Sequence, residues 1–224
     1  NETIDVIYEP NTDTPATITF FDDTTGQALA EETSLTSRGT TGEQASVTIV
    51  IPQNYALGTQ TDSNIKVIDG VPTYVGTYST NTSDDATVHL IHATTSIAVT
   101  DSLPTDLQNT NDVSKTVTRT IIYTLADGTT MAPAKTDSAT LQRSFTYDLV
   151  TKTASEFGEW TVTSGEVTFD QVTSPEVAGY SLSDSNQATI GSETITGDSV
   201  SGTINVSYVP NNDTTAIISF YDDT

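Results

Sequence analysis

Cysteine is absent from the 224 residues, so neither disulfide bonds nor thiolate metal sites can contribute to this protein. Basic residues are scarce, because 7 Lys and Arg stand against 30 Asp and Glu, for a formal net charge of -23. Nucleic-acid binding requires clustered Lys and Arg, so this class of partner is excluded. Residues 47–51 are the longest largely apolar run, far short of the roughly 20 residues of a membrane-spanning helix. We therefore expect no direct insertion into a membrane.

Catalytic residue patterns are also missing. The chain has two histidines, His89 and His92, and residues three apart on a strand face opposite sides of a sheet. We expect one to be packed and the other exposed, with no joint catalytic or metal-binding role. Residues 197–201 (GDSVS) approach the nucleophile-elbow pattern but lack its final glycine. The expectation is a protein that is not an enzyme.

The residues that are abundant favour β-structure. Thr, Val, Ile and Tyr recur along the chain, and these residues suit a pleated, half-buried surface. The hydrophobic fraction is 34%, and the 13 glycines raise it to about 40%, below the 45 to 50% of an average globular domain on the same count. Small cores follow, which fits two slender domains better than one large domain.

Each half of the chain shows a hairpin pattern followed by a crossing segment and a last strand. In the first half, strands are predicted at 16–22, 27–35 and 87–92, while 43–51 fits a short helix or a buried strand. In the second half, alternating residues at 117–123 and 141–147 flank a turn at 126–128, and 203–208 form the closing strand. Residues 148–157 have helix-tolerant composition and could cross the sheet.

This order predicts a mostly β, α+β fold of two tandem β-grasp (ubiquitin-like) domains in an elongated arrangement. In each domain the first and last strands should lie side by side in parallel, and a crossover should cover one face. Tyr55 and Tyr180 occupy matching places in the two halves, so we expect both to be structural.

The two ends of the chain match each other. A shift of 200 residues aligns Ile4 with Ile204, Tyr8 with Tyr208 and Phe20 with Phe220 without a gap, which is typical of a tandem array. Residues 1–10 are therefore interpreted as the last strand of a preceding repeat and 211–224 as the first strand of a following one. The two domains are predicted at 11–100 and 101–210. We expect the terminal strands to pair with a sheet edge in this chain or in a neighbour.

Two acidic pairs are candidate calcium ligands. Asp22 with Asp23, and Asp84 with Asp85, are loop carboxylates of the kind that Ca²⁺ prefers. The simpler interpretation is that they are solvated turn residues. No cofactor is required, and Ca²⁺ is the candidate ion.

Three aromatic residues are candidates for sugar binding. A pyranose has an apolar C–H face that stacks on an exposed aromatic ring and hydroxyls that need polar neighbours. Trp160, Tyr74 and Tyr78 are the candidates. A single Trp in a small domain is more commonly a core residue.

Several longer runs resemble a known family. SKTVTRTIIYTLADGTTMAP, LQRSFTYDLVTKT, FDQVTSPEVAGYSL and INVSYVPN resemble the second domain of the mucus-binding repeats of Lactobacillus cell-surface adhesins, while ITFFDDTTGQAL and YSTNTSDDATVHLIHATTSI resemble the first. The 200-residue period is similar to that of the longer repeat class.

The resemblance implies an extracellular, cell-wall-anchored adhesin repeat that is monomeric within a multi-repeat chain. Its implied partners are host mucin glycoproteins, bound through terminal glycans at weak sites that become effective by multivalency. The alternatives are a structural spacer repeat and a module that binds immunoglobulins or other proteins.

Overall fold

A computed structural model describes residues 4–30, 34–80, 85–108, 110–212 and 218–221. The chain divides into two compact units, the first formed by Asn1–Thr95 with Tyr147–Ser155 and the second by Ser96–Thr146 with Glu156–Thr224. Within the described ranges the helical elements are two short 3-10 turns, Thr105–Leu107 and Ser185–Ala188. No helix in this part of the chain has the length and apolarity to cross a membrane.

The main sheet of the first unit has its first and last strands side by side. Its order is β2-β1-β8-β5, with β3 also paired to β1. Strands β1 and β8 run parallel, from Ile18 opposite Ala86 to Asp22 opposite Leu90. A second sheet has the order β4-β7-β6. The strands are β1 (Thr14–Asp22), β2 (Gln27–Ala28), β3 (Leu35–Gly39), β4 (Gln44–Thr48), β5 (Tyr55–Leu57), β6 (Ile65–Ile68), β7 (Val71–Thr77) and β8 (Ala86–His92).

Alternation along β1 and β8 builds the core of the first unit. Ile18 and Phe20 on β1 are buried, as are Val88 and Leu90 on β8. Residues between them point to the other face and are more exposed, as the two-residue period of a strand requires. The segment that fits either a helix or a strand, 43–51, contains strand β4 and no helix.

The second unit repeats this topology with longer strands. Its sheet order is β14-β11-β10-β20-β17, and β10 and β20 run parallel from Arg119 opposite Gly202 to Leu125 opposite Tyr208. The strands that follow β8 are β9 (Thr94–Ile97), β10 (Ser114–Leu125), β11 (Thr130–Gln142), β12 (Phe145–Asp148), β13 (Ala154–Ser155), β14 (Thr161–Gly165), β15 (Thr168–Phe169), β16 (Val172–Thr173), β17 (Tyr180–Leu182), β18 (Thr189–Ile190), β19 (Glu193–Thr194) and β20 (Gly202–Pro210). The predicted mostly β fold is confirmed, and both units have the parallel first and last strands of a β-grasp sheet.

The crossing segment 148–157 differs from the prediction. It is a tight turn followed by strand β13 rather than a helix. The Asp148 side chain accepts hydrogen bonds from the backbone N–H of Val150 at 2.8 Å and of Thr151 at 3.0 Å. Lys152 has a φ of 61°, in the left-handed region, which ends regular structure at that point. An Asp side chain that caps its own turn competes with helix formation.

The terminal segment 4–10 forms no strand, although it matches the paired strand β20. Ile4, Val6 and Tyr8 are 84%, 65% and 88% exposed, whereas their counterparts Val206 and Tyr208 are buried. Residues 218–221 also lie outside any strand. For residues 4–10 and 218–221 the predicted pairing with a sheet edge of this chain is not found. Residues 1–3, 213–217 and 222–224 of the same predicted strands lie outside the described residues, and pairing with a neighbouring repeat stays a prediction.

Candidate functional site

A buried histidine between two carboxylates lies in the first unit. His92 Nε2 is 2.9 Å from Asp22 Oδ2, and its Nδ1 is 2.6 Å from Asp148 Oδ2. The His92 side chain is only 3% exposed. Since each ring nitrogen faces a carboxylate, the arrangement favours the doubly protonated, cationic imidazole. The Tyr55 ring packs against it edge-on, with centroids 5.6 Å apart.

The three charges shift each other's pKa. Burial alone would lower the pKa of His92, but its hydrogen bonds to Asp148 and Asp22 raise this pKa above the usual 6.5. Burial would raise the pKa of Asp148, but the bonds from His92, Thr151 and Val150 outweigh burial and lower it to about 2. The pKa of Asp22 is also lowered. The cluster joins the turn at Asp148 to strands β1 and β8 and is a structural ion-pair cluster.

The candidate calcium ligands are engaged with protein groups. Asp22 contacts His92, and Asp23 Oδ1 lies 2.7 Å from His89 Nδ1. Asp85 accepts a hydrogen bond from the N–H of Thr17 at 2.9 Å, and Asp84 lies outside the described residues. His89 and His92 do point to opposite faces of β8, and His89 is half-buried. In the described ranges no three His, Asp or Glu side chains form a cluster suited to a metal ion.

Tyr74 and Tyr78 are core residues rather than exposed platforms, which corrects their selection as sugar-binding candidates. Tyr74 is 0% and Tyr78 8% exposed, and both belong to the core of the first unit. The Tyr78 hydroxyl is 2.7 Å from Ser37 Oγ, and its ring packs on Gly39, where an added Cβ would lie 2.1 Å from the ring. Neither ring offers a face to a ligand because both are covered by the two sheets.

Trp160 is half-buried and has cations beside its ring. The ring packs against the core cluster that contains Val117 and Phe169. The Arg143 guanidinium lies 4.8 Å and the Lys115 ammonium 5.2 Å from the ring centroid, distances typical of cation–π contacts. A sugar that stacked on this ring would have to displace these cations.

An open cavity lies beside strand β17 in the second unit. Its volume is about 710 Å³, within the range of small-molecule sites. Half-buried Tyr180 forms one wall, while Glu176 and Ser181 bring polar groups to the lining. The remaining lining residues are Thr173, Ser174, Pro175, Val177, Ala178, Leu182, Ala188 and Tyr208. An aromatic wall with hydroxyls and a carboxylate has the chemistry that a pyranose requires.

The cavity has a smaller counterpart in the first unit. Tyr55 lies opposite His92 in the pairing of β5 with β8, and Tyr180 lies opposite Pro210 in the pairing of β17 with β20. Pro210 is exposed, whereas His92 is buried. The Tyr55 cavity, about 310 Å³, is lined by the charged Asp22 and His92. The cavity beside Tyr180 is larger, and Glu176 is the charged residue in its lining.

Part of the chain is similar to a known protein family. Residues 108–212 match the family model described as the Muc B2-like domain. Most of the matched residues belong to the second unit. No curated protein is significantly similar to the chain.

Solved structures extend the similarity to most of the chain. The type 2 repeat of the mucus binding protein MUB from Lactobacillus reuteri is 22% identical, with 88% of this chain and 100% of that chain covered and a TM-score of 0.56. Mub-RV is 27% identical over 88% of this chain and 99% of that chain, with a TM-score of 0.46. The mucin-binding domain of Spr1345 from Streptococcus pneumoniae is 24% identical and covers 54% of this chain and 98% of its own, with a TM-score of 0.37. The resemblance to a mucus-binding repeat is confirmed.

The second unit carries the cavity that the sequence did not reveal. Tyr180 was expected to be structural because it matches Tyr55, and it does pack in the core. It also forms a cavity wall, which depends on the loop 173–178 that precedes β17. The signal available in the sequence was the run SPEVAGYSL, where an apolar, irregular stretch with Pro and Gly comes before a Tyr.

Proposed function

We propose that this chain is a mucin-binding repeat of a bacterial cell-surface adhesin and that its Muc B2-like domain binds mucin glycans. The observation that carries the proposal is the match of residues 108–212 to the Muc B2-like family, supported by the fold shared with a mucus-binding protein repeat. The role is non-catalytic. It implies an extracellular location, with attachment to the cell wall supplied by other parts of the protein.

The cavity beside Tyr180 is the proposed glycan site. A volume of about 710 Å³ admits one or two sugar rings. The half-buried Tyr180 ring provides a stacking surface, and Glu176 and Ser181 supply hydrogen-bond partners for hydroxyls. Trp160 is the second candidate, because Arg143 beside it could pair with an acidic sugar.

Binding at this site should be weak and should depend on repetition. The net charge of -23 repels mucins, which carry sialic acid and sulfate, and salt screens this repulsion beyond about 8 Å at physiological ionic strength. Short-range hydrogen bonds and stacking are then left to provide the affinity. Several weak sites on one chain raise the effective concentration of each, so repeats compensate for weak single sites.

A cavity-filling substitution tests the site. Ala178 is exposed and lines the cavity, so Ala178→Trp should fill it without disturbing the core. Retention on immobilised mucin should fall at least fivefold. Ala134→Trp, at an exposed position on β11 outside the cavity lining, is the matched control and should bind as the parent chain does. Equal retention of all three proteins would contradict the assignment of the cavity, and Arg143→Gln then tests the site at Trp160.

Treatment of the mucin separates the classes of function. Binding that disappears after periodate oxidation of the mucin supports glycan recognition, whereas binding that survives oxidation supports recognition of protein, including immunoglobulins. No binding at all supports a spacer repeat. Calcium remains a proposal on the carboxylates Asp22, Asp23 and Asp85, and loss of mucin binding in a chelator would support it.

A further inference from the structure

Two asparagines that occupy the same place in the repeat make different contacts at the two ends of the chain. Asn11 and Asn211 are 200 residues apart, and each follows a proline, Pro10 and Pro210. Asn211 lies directly after strand β20, and Asn11 lies three residues before strand β1. Each shows one side of the same junction between successive repeats.

Asn211 is bound by the second unit, which precedes it. Its backbone N–H donates to the carbonyl oxygen of Gly179 at 2.9 Å. Its side-chain Oδ1 accepts a hydrogen bond from the hydroxyl of Ser181. Both partners belong to the start of strand β17 and its turn, so the residue is fixed to the edge of the Muc B2-like sheet.

Asn11 is bound by the first unit, which follows it. Its carbonyl oxygen accepts from the N–H of Thr41 at 2.8 Å, and the Thr14 hydroxyl lies 3.4 Å from the same oxygen. Its Oδ1 accepts from the N–H of Asp13 at 3.0 Å. These bonds fix the residue to the beginning of β1 and to the turn after β3.

The two sets of contacts are compatible on a single asparagine. The backbone N–H is used on the preceding side and the backbone carbonyl on the following side. The side-chain oxygen is used on both sides, and a carbonyl oxygen has two lone pairs with which to accept two hydrogen bonds. No atom would therefore have to form more hydrogen bonds than it can.

The segment before Asn11 has an unsatisfied apolar pattern that fits the same junction. Ile4, Val6 and Tyr8 are exposed, but their counterparts on β20 lie in a strand that pairs with both β10 and β17. A Muc B2-like sheet whose last strand is residues 4–10 would bury these side chains in the same way. The partner that fits this segment is therefore a preceding copy of the second unit.

We propose that Asn11 and Asn211 are the joints between successive repeats, each holding the last strand of one repeat and the first strand of the next by bonds to both. This proposal rests on the tandem arrangement in the proposed function. Three residues, 11–13, separate Pro10 from Thr14, the first residue of β1, and three residues span at most about 10 Å. With so short a connection, and with its first residue bonded on both sides, the junction is stiff rather than a flexible linker.

A chain with one complete junction tests the joint. Residues 25–224 are repeated once after Thr224, so that residues 201–224 lie between two full repeats. Because the chain has no cysteine, two spin labels can be attached at unique positions. One is Thr163→Cys in the first copy, and the other is Val67→Cys in the second copy. Pulsed electron paramagnetic resonance then measures the distribution of distances across the junction. A narrow distribution is expected for the parent chain.

Variants of the two asparagines show whether the width of the distance distribution depends on the asparagine at the junction or on any asparagine substitution in the chain. Asn211→Leu removes the side-chain acceptor at the central junction and should broaden the distribution at least twofold. Asn11→Leu removes the same acceptor where no repeat precedes it and should leave the distribution unchanged. Asn211→Asp keeps the side-chain acceptor, so its distance distribution should stay narrow. Thermal unfolding of each variant confirms that both copies are folded.

Two results would contradict the proposed joint. One is a broad distance distribution in the parent chain, and the other is equal distance distributions for Asn211→Leu and Asn11→Leu. Retention on mucin is measured on the same chains. A chain that binds mucin but flexes at the junction contradicts the joint alone. A stiff chain that does not bind mucin contradicts the proposed function alone.

Discussion

At the residue scale, the imidazole of His92 is tightly held, because it is 3% exposed and bonded to a carboxylate on each side. Of its two partners, Asp22 was predicted from the sequence as a candidate calcium ligand rather than as a partner of His92. Asp148 was not predicted as a functional residue. Asp148 lies 56 residues from His92, and no local pattern links them. The sequence does predict that one histidine is packed, from the alternation of strand β8.

Replacement of His92 should destabilise the first unit strongly. His92→Gln leaves Asp22 and Asp148 buried near each other without a cation, and loss of one partner of a buried ion pair costs about 3 to 5 kcal/mol of unfolding free energy. His89→Gln is the matched control, because His89 is more exposed and its ring contacts one carboxylate, Asp23, and the hydroxyl of Thr61, and it should cost less than about 1 kcal/mol. Urea unfolding of both variants measures the difference, and equal losses would show that the buried cluster does not contribute.

The same cluster predicts how stability depends on pH. The raised pKa of His92 gives stability that is complete below pH 6.5 and is lost as pH rises through the folded-state pKa. The pKa of Asp148, lowered to about 2, gives stability that is complete above pH 3.8 and is lost as pH falls toward 2. Tyr55, which faces His92, has a raised pKa and stays neutral in this range.

The free energy of unfolding of the first unit should therefore be highest between about pH 4 and pH 6.5. Urea unfolding from pH 3 to pH 9 checks this. In His92→Gln the decline on the alkaline side should disappear, and a variant that keeps that decline would show that another group causes it.

At the scale of elements, glycines with similar backbone angles differ in what surrounds them. Gly165 ends strand β14 with a φ of 84°, and an added Cβ would lie 2.1 Å from the carbonyl oxygen of Ser138. Gly128, in the turn between β10 and β11, has a φ of 88° and open space around it. Both need the left-handed region, and Gly165 also needs the absence of a side chain.

Gly165→Ala should separate β14 from β11, whereas Gly128→Ala should cost only the backbone strain of about 1 to 2 kcal/mol. The expected loss of unfolding free energy is at least twice as large for Gly165→Ala, because backbone atoms of the neighbouring strand would have to move. Urea unfolding gives the two values, and hydrogen exchange of 161–165 shows whether the strand has detached. Equal losses would contradict the close approach of these strands.

Several elements follow from the sequence alone. Strand β10 and the turn at 126–128 appear where the pattern placed them. The return strand does not, because β11 already begins at Thr130 and the predicted strand 141–147 spans its end and strand β12. The turn at Asp148 does not, because residues 148–157 have helix-tolerant composition and the deciding contacts, from His92, come from a distant strand.

The burial of Tyr74 and Tyr78 also depends on distant contacts. Tyr74 lies opposite Val47 on β4 and Ile65 on β6, and Tyr78, just after β7, is bonded through its backbone to Glu43. These contacts belong to the least regular part of the first unit.

At the scale of the whole molecule, the relevant properties for binding a partner are the net charge and the sequence repeat. The net charge and the 200-residue period are properties of the sequence. The cavity beside Tyr180 could not be predicted, because it depends on how the loop 173–178 stands away from β17. The sequence therefore predicts the family and topology but not the location of the proposed site.

Salt should strengthen, not weaken, the association with mucin. Both partners are acidic, and a rise in NaCl from 10 mM to 150 mM shortens the screening length from about 30 Å to about 8 Å. Retention on immobilised mucin should rise severalfold over this range and then level off. A steady fall with salt would show that cation pairing, at Arg143 or Lys115, provides the affinity.

The small number of Lys and Arg residues also affects how readily trypsin can cleave the chain. Trypsin must draw an extended Lys or Arg into its specificity pocket. In the second unit Arg119 is buried, Arg143 is stacked on Phe157 and Lys115 is bonded to the carbonyl oxygens of Gly197 and Ser199. Cleavage should therefore begin elsewhere, at exposed Lys66 and Lys152, which both lie in the first unit, or at exposed Lys135 on strand β11.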